Sequence, residues 1–528
     1  MSFARIYSAQ THLLKGKIVT VEVDITKNTL HSFTLVGLPD KAVDESKDRM
    51  SSALKNSGFA SPKNQNQKIV ISLSPADLKK EGPYFDLAIA LAYLLSAQEI
   101  DFDGEGRIFL GELSLNGELR PIKGALPLTQ EAKRLGYKEI FLPIDNAKEA
   151  ALVDGITIYG ARTLREVIDH IRILKKDKSG KPLEKETPKI LPTEKTEIIN
   201  EKKSHGIDFS DIRGQEGAKR GIEIAAAGGH NIAMSGPPGT GKTMLARVFS
   251  HILPDLKTDE VLEITGIHSV VGLLEGELVT IAPFRAPHHT ASYVSMIGGG
   301  ANPKPGEVTL AHKGVLFLDE FPEFEKRVLE SLRQPLEDNV VSISRARGSA
   351  IFPSNFILVA AMNPCPCGNK GNKQKACICK PSDLDRYNRK LSGPIMDRID
   401  IWVTVGAVDY DKLSSTEQSG DKTATIKERV EKAREVQNKR FKSANTSGGA
   451  RKINTNSEMN VKDLAIYAPL TPEIKKLLND SAERLQLSAR AYHRTIKLAR
   501  TIADLGGSTD ITSAHILEAL QYRPKVQI

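Results

Sequence analysis

At 528 residues, with 40% apolar and 26% charged residues, the chain is too long for one compact core and too ordinary in composition for a disordered or fibrous protein, so three or so domains are expected. No apolar run approaches the roughly 18 residues of a membrane helix, and the opening MSFARIYSAQTHLLKGKIVTVEVD alternates like a strand and lacks the order of a signal peptide, so no membrane association and a cytoplasmic address are expected. A net charge of +9 suits a polyanion partner, but the excess is spread along the chain and does not decide the matter.

A first domain of residues 1–170 is followed by RILKKDKSGKPLEKETPKILPTEKTEIINEKKS, rich in Lys, Glu and Pro with few large apolar residues; 171–205 therefore reads as a charged linker. An ATPase core is expected over 206–408. Its segment HNIAMSGPPGTGKTMLARVF sets a short apolar run before Gly236, Pro237, Pro238, Gly239, Thr240, Gly241, Lys242 and Thr243, and a helical pattern after them. This is the strand, loop and helix context of a phosphate-binding loop, in which backbone N–H groups turn onto phosphates at the positive end of a helix. Lys242 is then expected to hold the β and γ phosphates of ATP, and Thr243 to ligate Mg²⁺.

Farther along, His288 and His289 are adjacent in a segment read as extended, so their side chains should face opposite ways and serve packing or hydrogen bonding rather than a metal. GVLFLDEF is a buried strand ending in two carboxylates, with Asp319 beside the metal and Glu320 polarising the attacking water. The strand NFILVAAMNP ends in Asn363, whose amide can reach the water or the γ-phosphate if this strand lies between the other two in a parallel sheet. Cys365, Cys367, Cys377 and Cys379 form C-x-C, nine residues, C-x-C. In a cytosolic protein three readings stay open: a closed structural Zn²⁺ site, reduced thiols, or a regulatory disulfide. Arg398 in SGPIMDRID, and Arg490 and Arg494 on a basic helix, are candidates to stabilise charge on a transferring phosphoryl group. Polar stretches at 409–425 and 443–457 set off a helical carboxyl-terminal region, 409–528.

With these motifs in order, residues 206–525 resemble the magnesium-chelatase-like AAA+ ATPases, and the whole chain resembles the ComM/YifB family of bacterial DNA helicases. The carrying strings are IRGQEGAKRGIEIAAAGGHNIAMSGPPGTGKTMLA, FRAPHHTAS, GEVTLAHKGVLFLDEF, the MNPCPCG run and SGPIMDRID. The resemblance implies an α/β fold with a five-stranded parallel AAA+ P-loop sheet, hairpin inserts and a helical lid. It also implies a homo-hexamer with ATP at subunit interfaces, and DNA, single-stranded or branched, bound without regard to sequence. Asn363 becomes the sensor-1 residue and Arg398 the trans-acting arginine finger. Arg490 becomes the sensor-2 arginine, with Arg494 as the competing choice at the nucleotide.

The inserts would be 267–308 and the hairpin SISRARGSAIFPSNF, where Lys304, Arg345 and Arg347 are candidates to touch phosphates. Residues 1–170 resemble a Lon-protease-like domain through TLVGLPDKAVDESKDRMSSAL, ISLSPADLKKEGPYFDLAIALAYLL and FLGELSLNGELRPIKGALPL. The positions matching that family's Ser and Lys dyad are Tyr84 and Leu126, which provide neither nucleophile nor base, so no protease activity is expected. Lys55, Lys63, Lys68, Lys79 and Lys80 are available for gripping DNA; a solvated face has the same composition.

Overall fold

A computed structural model describes residues 3–173, 189–198, 206–274, 278–300, 303–345, 348–371, 375–406, 420–446 and 452–524. Two compact units emerge, one of residues 1–199 and 257–280, the other of 200–256 and 281–528. The fold is mixed α/β, and among the described residues no helix is long and apolar enough to cross a membrane.

The first unit is built on a seven-stranded sheet. Alternation in Lys15–Lys27 and Gln67–Ser74 sends Val19, Val21, Val23 and Ile25, with Ile69, Ile71 and Leu73, to one face, where all are buried. The helix Asp86–Ser96 (DLAIALAYLLS) is apolar nearly all round, as a helix enclosed by its domain must be, and packs on that face against Phe3–His12 and Lys15–Lys27. A second helix, Ala125–Arg134, covers part of the same sheet and is itself covered by Thr258–Val271, where the Gly124 N–H donates to Ser269 Oγ over 2.9 Å. Thus a helix that follows the phosphate loop in sequence belongs to the first unit.

Part of the stretch read as a linker is also fastened to this unit. Thr193 N donates to the Ile158 carbonyl over 2.8 Å, Ile190 N to His170 Nδ1 over 2.9 Å, and Lys195 pairs with Asp154. Composition excluded a core here but not edge hydrogen bonds, which need only backbone.

The second unit holds a five-stranded, all-parallel sheet in the order Phe284–Arg285, Val315–Leu318, Ile357–Met362, Ile232–Ser235, Ile401–Thr404. Ile357–Met362 therefore lies between the strands that lead to the phosphate loop and to the acidic pair, as expected from the sequence. Continuous apolar runs such as VLFL and ILVAAM are completely buried, the mark of strands covered on both faces. Two hairpins leave this framework: a short ladder of Gly298–Gly299 with Lys304–Pro305, and a longer one of Val340–Arg345 with Gly348–Pro353. Lys304 is exposed, Arg345 ends the outgoing strand, and Arg347 lies outside the described residues. The carboxyl-terminal region is helical, and its helices Thr423–Thr446 and Ala489–Leu505 pack on Glu216–Gly228.

One buried ion pair anchors the segment that carries Tyr84. Asp86 opens its helix fully buried, and Arg49 donates to both carboxylate oxygens, from Nε over 2.6 Å and from Nη2 over 3.0 Å. Burial pushes the Asp86 carboxyl up to about 6 against the pull of Arg49. Arg49→Met leaves a buried carboxyl without its cation and should destabilise the first unit by about 3 kcal/mol, seen as a lower melting transition; an unchanged transition would show the pair to be dispensable.

Candidate active site

The loop GPPGTGKT leaves the carboxyl end of Ile232–Ser235 and runs into the helix Lys242–His251. Its first residue has no room for a side chain: a Cβ on Gly236 would collide with the Val405 carbonyl, while its N–H donates to the Met362 carbonyl over 3.2 Å. Lys242 is buried, and its Nζ donates to the carbonyls of Gly236 (2.7 Å) and Pro237 (2.8 Å) and to Asn363 Oδ1 (3.3 Å). Burial lowers its pKa, with Asp319 acting in opposition.

Thr243 Oγ1 donates to Asp319 Oδ2 over 3.0 Å. Two oxygens at this separation suit adjacent positions around an octahedral Mg²⁺, where bonds of about 2.1 Å place neighbouring oxygens about 2.9 Å apart. Glu320 follows with a left-handed backbone, φ +51°, a conformation that a non-glycine residue holds only when its surroundings enforce it. Lys242, Thr243, Asp319, Glu320 and Asn363 thus gather at one sheet edge, and Thr243, Asp319 and Glu320 line a pocket of about 400 Å³.

His289 was missed as a member of this group. A turn at His289 and Thr290 brings the two histidine rings to 4.1 Å between centroids, correcting the expectation of opposite faces. His289 places Nδ1 3.0 Å from Glu320 Oε2, and His288 bonds to Thr290. The only signal for the contact was that FRAPHHTAS opens with the strand paired with the acidic strand, a pairing local periodicity does not reveal.

The three arginines lie elsewhere. Arg398 precedes Ile401–Thr404, a strand in register with Ile232–Ser235, so it sits where the parallel strands begin, whereas the phosphate loop sits where they end. Four residues of strand separate those edges by about 13 Å. Arg398 is buried, 3% exposed; its Nη1 donates to the Pro394 carbonyl over 2.6 Å and its Nη2 pairs with Glu337. Arg490 reaches the other Glu337 oxygen at 3.0 Å with its side chain 53% exposed. Burial would raise the Glu337 carboxyl, but Arg398 and then Arg490 hold it below the usual range. Arg494 is engaged differently, in an ion pair with buried Asp400 and a 3.1 Å bond to the Arg398 carbonyl. A cleft of about 680 Å³ opens beside Glu337, Arg490 and Arg494.

The four cysteines converge, with all sulfurs within 4.8 Å of one another. Cys365 Sγ is 3.4 Å from Cys367 Sγ and 3.7 Å from Cys377 Sγ, and the latter two are 3.6 Å apart. A tetrahedral zinc with Zn–S bonds of about 2.3 Å has edges of about 3.8 Å, so the donor set fits that ion.

Comparison with known proteins assigns the chain to a family. The family model described as magnesium chelatase, subunit ChlI, matches residues 208–413, its carboxyl-terminal model matches 420–523, and a further ChlI model matches 21–146. The chain is 40% identical to the competence protein ComM of Haemophilus influenzae over 533 aligned residues, covering all of this chain and 99% of that protein. It is also 40% identical to YifB of Escherichia coli over 99% of this chain and 97% of that protein. The chain belongs to the ComM/YifB family of magnesium-chelatase-like AAA+ proteins. A more distant likeness, 28% over 174 residues, is to Lon protease 2 of Bacillus subtilis and spans 30% of the chain.

In the first unit, Tyr84 and Leu126 hold structural places. Tyr84 Oη lies 3.4 Å from Thr11 Oγ1, and Leu126 is fully buried with its N–H donating to Glu149 over 2.8 Å. Of the five lysines singled out there, Lys80 is buried and bonded to the Pro75 carbonyl, Lys63 pairs with Asp48 and Lys79 with Glu81; Lys55 and Lys68 are exposed.

The close approach at Gly236 generates a test of the nucleotide site. Gly236→Ala forces the loop away from Val405 and should weaken binding of a fluorescent ATP analogue by about tenfold or more. Affinity within twofold of the parent protein would mean that the loop relaxes around the methyl group.

Proposed function

We propose that this protein is a cytoplasmic ATPase that assembles into a homo-hexameric ring, hydrolyses ATP between neighbouring subunits and uses the cycle to translocate on DNA. The observation that carries the reading is the division of the second unit: Lys242, Thr243, Asp319 and Asn363 meet at one edge of the parallel sheet, while Arg398 and Arg490 share Glu337 at the other. In this reading a head-to-tail contact that closes into a ring brings Arg398 and Arg490 of one copy to the phosphate loop of the next.

In this reading the backbone from Gly236 to Gly241 cradles the phosphates. Lys242 exchanges its loop carbonyls for the β and γ phosphoryl oxygens. Thr243 and Asp319 hold Mg²⁺, which neutralises charge on the phosphates. Glu320 accepts a hydrogen bond from the attacking water and Asn363 orients it. Arg398 of the neighbouring copy, released from Glu337, meets charge developing on the transferred group, and Arg490 is the sensor-2 arginine. Arg494, held by Asp400, fixes the Arg398 backbone rather than touching nucleotide. The exposed Lys304 and the Val340–Pro353 hairpin face DNA phosphates, with the sequence-independence of backbone contacts. The first unit acts as a non-proteolytic scaffold. Four cysteine thiolates hold a structural zinc ion. Likeness to a competence protein supports a role in recombination of incoming DNA, by helicase action or branch migration.

The decisive measurement is steady-state ATP hydrolysis with no DNA, single strands, duplex and a four-way junction. Stimulation by one form is expected and names the substrate; a rate indifferent to every DNA and raised by a protein would mean a remodeller of protein complexes instead. Lys242→Ala should lower nucleotide affinity, Glu320→Gln should retain bound ATP with turnover reduced about 100-fold or more, and Arg398→Ala should reduce turnover about 1,000-fold with binding nearly intact. Full turnover in the Arg398 variant would remove the trans-acting assignment.

A further inference from the structure

We infer that the four-cysteine centre is a metal-dependent clamp on the nucleotide loop, so that binding of zinc at Cys365, Cys367, Cys377 and Cys379 sets the affinity for ATP. The inference rests on the zinc reading above and is independent of DNA.

The cysteine loop touches the nucleotide site at two places. Its first ligand, Cys365, stands two residues after Asn363 and is fully buried, so the metal centre begins where the strand Ile357–Met362 delivers that amide. Asn363 in turn accepts from Lys242 through its side chain and from Tyr387 Oη, over 2.9 Å, through its carbonyl. The second contact is Gly368. It adopts φ +76° immediately after Cys367 and packs so closely on the phosphate loop that a Cβ there would lie 2.7 Å from Pro238 Cδ. Asn363 and Gly368, which bear on Lys242 and Pro238, thus bracket Cys365 and Cys367 along the chain.

Among the described residues of the loop, no apolar cluster stands in for a metal. Its described aliphatic side chains between the ligands, Ala376 and Ile378, are exposed, Ile378 by 83%, so the described part of the segment has no core of its own and needs a cross-link to hold its shape. Its backbone is arranged around sulfur instead: Lys370 N donates to Cys365 Sγ over 3.3 Å and Cys367 N to Cys379 Sγ over 3.4 Å, the bonds that stabilise thiolates rather than thiols. Exposed Lys370, Lys375 and Lys380 offset the negative charge that four thiolates leave around a divalent ion. When the ion is bound, Gly368 is pressed against Pro238 and the loop is held in its phosphate-cradling shape. When the ion is lost, or the thiols are oxidised in pairs, that pressure and the fixed direction of Asn363 go with it.

The test uses the full-length protein. Zinc content is measured by elemental analysis, the metal is removed with a mercurial reagent and a chelator under reducing work-up, and the affinity for a fluorescent ADP analogue is titrated before removal, after it, and after adding Zn²⁺ alone. About one zinc per chain, an affinity about tenfold weaker in the stripped protein, and recovery on re-addition are expected. Gly368→Ala keeps every ligand and should retain zinc while weakening nucleotide binding severalfold. Protein that binds nucleotide normally with less than about a tenth of an equivalent of zinc overturns the metal centre. Zinc bound stoichiometrically with affinity within twofold across the stripped and Gly368→Ala proteins overturns the clamp and leaves the metal. Because the readout is nucleotide binding, failure of DNA to stimulate hydrolysis bears on the motor and not on this inference.

Discussion

The parallel pairing of Ile232–Ser235 with its two neighbours is the constraint from which the nucleotide site follows. In-register pairing with Ile357–Met362 and Ile401–Thr404 brings the loop start, Asn363 and Val405 to one edge, and the closeness of that packing is why position 236 has no side chain. A loop pinned at its first residue by Met362 and Val405 can afterwards turn only through the glycines at 239 and 241, both with positive φ, before the helix begins. The lysine at that helix's first position then sets its ammonium among the carbonyls of Gly236 and Pro237 and beside Asn363 Oδ1. The loop and its lysine are thus fixed by the protein's own bonds, the condition under which electrostatic stabilisation needs little reorganisation.

How much of this could be read from the amino acids depends on the range of the interaction. The loop, the acidic pair and Asn363 were legible because each sits at the end of an apolar run, and a run of four to six buried residues announces both a strand and the point where it stops. The order of strands was legible only in part, through the requirement that the Asn363 strand lie between the other two. His289 and Glu320 are 31 positions apart, and what joins them is a turn whose residues, Thr290 among them, carry no glycine or proline to mark it. The sharing of Glu337 by Arg398 and Arg490 was hidden for the same reason: charged residues on separate elements, one in a turn and one in a helix, leave no periodic trace. Arg494 looked as free as Arg490 on the helix, and only the buried Asp400 on another element distinguishes them.

The first unit shows a related lesson about lysines. Composition offered five cations for a polyanion, but Lys80 has a carbonyl partner in the interior and two others have carboxylates at hand. Charge counted along a sequence overstates the charge presented to a partner, because folding pairs cations locally wherever acids stand near.

The helix Thr258–Val271 carries a consequence for how this molecule can be taken apart. The backbone passes from the first unit to the second, returns with this helix, and leaves again. No single cut therefore yields the first unit whole. A fragment ending before the phosphate loop lacks the cover of Ala125–Arg134 and bares an apolar seam, and a fragment beginning at the loop carries a helix with no bed to lie in. The two units are interleaved along the chain, so an insertion or truncation in the phosphate-loop segment bears on both. Such a protein is inherited, made and lost as one piece.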